Sequence, residues 1–321
     1  MTGGANLTPV VLLAYNRPDT TARVVERILD ADPPELFVVA DGPRNDPADR
    51  RRCAATRETI LDAEWDCPVH TLFREENVGL PEAVYTGLDW VFEQVPEAII
   101  LEDDTVPSTD FFRYCGTLLD RYRETDRVMM INGTNRLGTW KADHQDYHFV
   151  TYQGVWGWAT WRDAWDRYDP EMRAWEDTAV RDRIRETIDD DERFEYYEHR
   201  FQRSYDGASP AWSRMWRFAL LANDGLAAVP SRNLVSNVGF DDRAVHTTDP
   251  DSPLADLPQG ELRFPLDPPD ALAPDREYER TGFEQFRRPS YATRLARRFT
   301  PRSVRTRVPT SIRNRLRSFV E

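Results

Sequence analysis

An open, mostly parallel α/β sheet with flanking helices is the fold class predicted for this 321-residue chain. Three observations carry it. Short apolar runs rich in β-branched residues recur through the first 135 residues, amphipathic stretches separate them, and the runs end in polar, turn-forming residues.

The first run, Val10–Ala14, meets the turn Asn16-Arg17-Pro18-Asp19. A helical pattern over 20–29 follows, with Val24, Val25, Ile28 and Leu29 on one side. Residues 36–40 repeat the strand signal and stop at Asp41-Gly42-Pro43. A helix containing Ile60 and Leu61 leads to a strand over 69–73, and residues 80–92 read as the next helix. Strands at 98–101 and 128–131 flank a helix over 111–122. In such sheets, ligands sit outside the carboxyl ends of the strands.

The remaining chain changes character. Tryptophans concentrate between Trp156 and Trp216, and 177–205 is highly charged and helical in pattern. Residues 251–286 are rich in Pro and Asp and predict an irregular segment with little core. No internal repeat is present.

Composition bounds the function. At 40% hydrophobic and 12% aromatic residues the chain can bury a sizeable core. Cys53, Cys67 and Cys115 are odd in number and form no C-x-x-C pair, which argues against a disulfide scaffold or a zinc site and fits a reducing compartment. The N-terminus lacks a signal-peptide pattern, and no apolar run reaches the roughly 18 residues of a spanning helix.

Charge is uneven. Residues 287–321 hold eleven arginines against one acid, Glu321, so within the net charge of −14 the first 286 residues carry −24. That acidic body argues against nucleic acid as the main partner. Lys141 is the only lysine, and an acidic, lysine-poor composition resembles that of proteins from salt-loving archaea; an Arg-favouring codon bias is the alternative. In the tail, Ile312, Leu316, Phe319 and Val320 form an apolar stripe among Arg313, Arg315 and Arg317. A basic amphipathic helix starting near Pro309 suits an anionic membrane surface, with docking on the acidic body or RNA as rivals. The expected location is cytoplasmic, peripheral at the inner face of the cell membrane.

The chemistry concentrates at the strand ends. The first run ends in Tyr15-Asn16-Arg17, the second in Asp41-Gly42, and the fourth in Glu102-Asp103-Asp104. Three consecutive carboxylates after a buried strand repel one another and are costly to desolvate. A divalent cation, Mn²⁺ or Mg²⁺, offsets that cost and can bridge a diphosphate. The plainer reading is a solvated strand end that caps the helix beginning near Ser108 or Thr109.

These segments resemble a known family. Residues 99–104 with Pro107 and Asp110-Phe111-Phe112 are similar to the Glu-Asp-Asp segment of N-acetylglucosaminyltransferase I and its relatives, inverting enzymes of the GT-A fold. Residues 11–18 and 39–44 resemble nucleotide-binding strands of bacterial and archaeal members of that group, and Glu76-Asn77-Val78-Gly79-Leu80 a further loop. Residues 154–162 resemble the Trp-rich acceptor-side segment, and 233–240 with His246-Thr247 the closing segment.

The resemblance implies a GT-A (Rossmann-like) domain over 8–250, divided into a nucleotide-sugar-binding half, 8–135, and an acceptor-side half, 136–250. It implies a nucleotide-sugar donor and a glycan or lipid-linked acceptor. Tyr15, Asn16, Arg17, Asp41, Asn77, Glu102 and Asp103 would bind the donor: Asp41 at base or ribose, Arg17 at the diphosphate, Glu102 and Asp103 at ribose and metal-bound water. Asp104 would ligate the metal, with His246 as a second contact. Trp156, Trp158 and Trp212 would line the acceptor groove, although tryptophans at this density also build core.

The pattern breaks at the catalytic base. Relatives place an acid in a Trp-Asp-x-x-Trp-like stretch; here it reads Trp212-Ser213-Arg214-Met215-Trp216. Serine is no base at neutral pH without activation. Asp206 is the nearest acid on the segment and the assigned candidate, with Glu171 and Asp177 as others and a surface-turn role as the plainer reading. A non-catalytic nucleotide-sugar-binding partner subunit is the alternative function. A nucleotidyltransferase is a third, without the Gly-rich N-terminal loop that class requires.

Overall fold

The computed structural model describes residues 8–209, 211–240 and 252–286. β1 (Val10–Ala14) leads into α1 (Pro18–Ala31), β2 (Leu36–Ala40) into α2 (Pro47–Leu61), and β3 (Val69–Phe73) into α3 (Leu80–Phe92). β4 (Glu97–Glu102) continues through a short strand, β5 (Thr105–Pro107), into α4 (Thr109–Tyr122). Pro18 and Pro47 occupy first helical turns, where a missing N–H costs nothing. The apolar face of α1 buries Val24, Val25 and Ile28, as its spacing predicts.

The second half supplies β6 (Val128–Asn132), β7 (Tyr147–Val150), β8 (Trp158–Trp161), α5 (Arg162–Trp165), α6 (Thr178–Ile188), α7 (Asp191–Tyr205), α8 (Trp212–Ala222), β9 (Leu226–Pro230), β10 (Val235–Asn237) and α9 (Arg276–Phe286). The main sheet runs β3-β2-β1-β4-β8-β6-β9-β7, with β8 and β7 reversed relative to the other six strands. The expected parallel α/β sheet is therefore present. The Trp-rich segment adds something its composition did not disclose: Trp158–Trp161 is a central strand between β4 and β6.

A two-stranded antiparallel ribbon sits beyond the end of β4. β5 pairs with β10 in the register Thr105↔Asn237, Val106↔Ser236, Pro107↔Val235, which carries Asn237 and the residues after it back to Asp104.

Two apolar clusters hold the body together. The larger is the sheet with α1 to α4 and the tryptophans; the smaller gathers Met172, Trp175, Ile184, Ile188, Phe194 and Phe201 beneath α8. Helix α8 is apolar around most of its circumference because it serves both: Trp212, Trp216 and Leu220 face the first cluster, Met215, Phe218 and Leu221 the second.

The chain divides into two compact units, 1–278 and 279–321. Residues 252–275 are irregular, as their composition predicts, yet Leu262 and Leu266 are buried in the larger cluster. Of the second unit the described part is the C-terminal portion of α9. The basic stripe of the tail lies outside the described residues. No helix among the described residues is long and apolar enough to cross a membrane.

Candidate active site

The carboxyl ends of β1, β2 and β4 lie side by side at the candidate site, because adjacent parallel strands are in register (Val10↔Leu36, Val10↔Ile99). Glu102 closes β4, and the turn after it is braced by Thr105, whose hydroxyl bonds both the amide and the carbonyl of Glu102. Asp103 turns inward and accepts from the Tyr15 amide at 2.9 Å. Asp104 faces the β5–β10 ribbon: Arg17 Nη1 lies 2.9 Å from its Oδ2, Asn237 Nδ2 lies 3.4 Å from its Oδ1, and its carbonyl accepts from the Val238 amide.

Arg17 is nine-tenths buried and also donates to the Gly239 carbonyl. Gly239 cannot carry a side chain here, since a Cβ would lie 2.0 Å from Asp104 Oδ2 and 2.3 Å from Arg17 Nη1.

The carboxylates are electrostatically crowded. Burial, then Asp104 and Asp103, push Glu102 well above the carboxylate range, although part of its surface still meets solvent. Burial and Asp104 push Asp103 up to about 7. The donor set fits a hard divalent cation, which would relieve this repulsion. Among the described residues no three His, Cys, Asp or Glu side chains are grouped to ligate one ion.

The raised Asp103 has a consequence for stability. Its folded pKa lies above the unfolded value of about 4, so between roughly pH 4 and 7 the native state binds more protons than the unfolded chain, and stability falls as pH rises through that window. The melting temperature of metal-free protein should therefore decline more steeply across this range than that of Asp103→Asn. Parallel curves for the two proteins would contradict the assignment.

A second buried carboxylate organises the loops after β1 and β2. Asp49, 2% exposed on the first turn of α2, accepts from Tyr15 Oη and Asn16 Nδ2 at 2.5 Å each, from the Arg44 amide at 2.8 Å and from Arg52 at 3.3 Å. Burial opposes its charge, but these bonds hold it below the ordinary carboxylate range. It thereby locks the β1–α1 turn to the β2–α2 loop. In sequence it reads only as a first-turn acid favourable to the helix dipole, and so it escapes notice. Asp49→Ala strands these donors and should lower unfolding free energy by about 2–4 kcal/mol, read by urea denaturation.

The other sequence candidates fall in three groups. Asp41 is buried and spends both oxygens on the chain itself: Gly42 and Val78 amides on Oδ1, the Asn77 amide group and Gly79 amide on Oδ2. Asp41 and Asn77 thus shape the loop beside the cleft, and Gly42 is required there because a Cβ would meet the Glu76 backbone at 2.3 Å. Trp156 is half-buried, with Arg136 over its ring at 5.3 Å and Phe240 edge-on at 5.8 Å.

The second group requires correction. Trp158 is fully buried and Trp212 is 3% exposed, their rings 6.0 Å apart and stacked, with Trp165 and Trp216 packed on Trp158. Neither presents a face to an acceptor; the strand β8 and the two-sided helix α8 draw them into the core. Trp156 alone of the three keeps surface.

The third group lies apart or undescribed. Asp206 is exposed at the C-terminal end of α7 and accepts from Gln202 at 3.0 Å; no contact among the described residues joins it to the cleft carboxylates. Asp177 caps α6, and Glu171 pairs with Arg173 on the surface. Ser213 lies in the first turn of α8, its carbonyl accepting from Tyr152 Oη at 3.0 Å. His246 lies outside the described residues.

No curated protein matches the chain. Among solved structures it is similar to HddC from Yersinia pseudotuberculosis, with 11% identity, a TM-score of 0.31, and coverage of 49% of this chain and 78% of that one. It is also similar to a UDP-glucose pyrophosphorylase complexed with UDP-glucose, with 11% identity, a TM-score of 0.29, and coverage of 50% and 79%. The sequence model of glycosyl transferase family 2 matches residues 10–171, from the first residue of β1 through the three strand ends and the Trp-rich strand, and this chain belongs to that family.

Proposed function

We propose that this glycosyltransferase moves a sugar from a nucleoside-diphosphate donor, a UDP-sugar, to a glycan, glycoprotein or lipid-linked acceptor, with inversion and with a divalent cation. The observation that carries the reading is the convergence of Arg17, Asp104 and Asn237 beside the crowded pair Glu102 and Asp103. Bound at Asp104, the cation would supply charge neutralisation to the departing diphosphate. Arg17 offers the same negative charge a guanidinium fork. Tyr15 and Asn16, fixed by Asp49, present the nucleoside side, and Glu102 and Asp103 the ribose side. Trp156 is assigned to the acceptor.

Inversion needs a carboxylate to take the acceptor proton. This reading assigns it to Asp206, exposed seven residues before Ser213. His246 is assigned a supporting metal or diphosphate contact, and the basic tail a place on anionic membrane.

One observation favours a second reading. The stretch Trp212-Ser213-Arg214-Met215-Trp216 holds a serine where the resemblance implies an acid, which suits a partner subunit that binds donor without turnover. The test is binding and slow hydrolysis of UDP-, GDP- and dTDP-sugars, with and without Mn²⁺, at low and molar salt. Metal-dependent binding with hydrolysis of one donor supports the transferase. Binding without turnover across an acceptor panel supports the partner subunit. Absence of binding to every donor refutes both.

A further inference from the structure

The acceptor half carries a concentration of charge opposite in sign to the cleft. On α7, Tyr197, Arg200, Arg203 and Ser204 recur at three- and four-residue spacing and share one face. Helix α8 lays Arg214 and Arg217, one turn apart, against it. Arg214 Nη1 donates to Ser204 Oγ at 2.7 Å and to the Ser209 carbonyl at 2.6 Å. The Arg217 guanidinium lies between the Tyr152 and Tyr197 rings, 4.2 and 4.4 Å from their centroids.

Among the described residues Arg203, Arg214 and Arg217 have no carboxylate within ion-pair distance, although the chain has 56 acids. Burial, then Arg200, Arg217 and Arg203, push the Arg214 guanidinium down to about 10. Guanidiniums crowded in this way repel one another, and a bound oxyanion compensates them with short, charge-assisted hydrogen bonds.

The cluster also connects to the cleft. Tyr152, which holds Arg217 and bonds the start of α8, belongs to the same β7–β8 segment as Trp156. Trp156 meets Phe240, next to the Gly239 whose carbonyl accepts from Arg17.

We propose that Arg203, Arg214 and Arg217 form a subsite for a phosphate group carried by the acceptor. The proposal rests on the transferase reading above. Phosphate suits the cluster because it brings close to two charges and several acceptor oxygens to guanidiniums arriving from two helices.

The experiment titrates the full chain, its donor cleft filled with UDP and Mn²⁺, with farnesyl phosphate and glucose 1-phosphate against neutral farnesol and glucose. At least one phosphate should bind about tenfold or more tightly than its neutral counterpart, and Arg214→Gln should weaken it by about tenfold. Arg203→Gln, which breaks no side-chain hydrogen bond, should weaken it several-fold with unchanged melting temperature. Tight binding of farnesyl phosphate alone supports a lipid source for the phosphate, and of glucose 1-phosphate alone a glycan source. Phosphates that bind no better than their neutral counterparts, or that bind both variants as they bind wild type, overturn the proposal. Failure of UDP to bind while phosphate still does would overturn the transferase reading and leave the subsite standing.

Discussion

Asp104→Ala should cost about three orders of magnitude in turnover and abolish metal-dependent donor binding, because it removes the carboxylate on which Arg17, Asn237 and the proposed cation converge. The fold should survive. Asp104 is a partly exposed turn residue, and the ribbon pairing of β5 with β10 is carried by backbone bonds that remain. Isothermal titration of UDP with and without Mn²⁺, beside a thermal melt, separates the two effects. Wild-type affinity for Mn²⁺-UDP in the variant would sink the metal assignment. Gly239→Val offers an independent check, since its side chain must displace the Arg17–Asp104 pair without altering any charge.

Trp158→Ala should be the most destabilising of the predicted substitutions, by about 3–5 kcal/mol, with a fall in melting temperature of roughly 10 °C. Trp158 is wholly buried at the centre of the sheet and packs on Trp165, Trp212 and Trp216, so truncation leaves a cavity that three rigid rings cannot close. Its indole Nε1 has no hydrogen-bond partner among the described residues. Trp158→Phe therefore gives up volume but no hydrogen bond and should cost far less than the alanine variant. Were Trp158 an acceptor platform instead, Trp158→Phe would raise the acceptor KM while the melt stayed unchanged.

How much of this was legible in the sequence differs by region. The β1, β2 and β4 runs could be read directly, because strands buried on both faces are continuous apolar stretches with abrupt polar ends. Those ends also supplied Arg17 and the Glu102-Asp103-Asp104 group, since crowded carboxylates after a buried strand have few inexpensive explanations. Trp158 and Trp212 depart from their expected place at the acceptor for a physical reason. An indole that stacks on a sugar and one that packs in a core have the same composition signal, and only the insertion of β8 between β4 and β6 separates them. Asp49 and the arginine cluster were invisible for a related reason, because each acquires meaning from partners on other elements.

The α/β class and the carboxylate-rich strand end were written in local periodicity and in residues adjacent in the chain. Which side chains meet was set by the packed fold. It brought Asn237 and Gly239 to Asp104 across more than a hundred residues, turned Asp41 toward its own loop, and sank Trp158 and Trp212 into the core. Burial and pairing are properties of the assembled sheet and its packed helices: a side chain's chemistry is set by the chain, but its surroundings exist only once distant strands are in register.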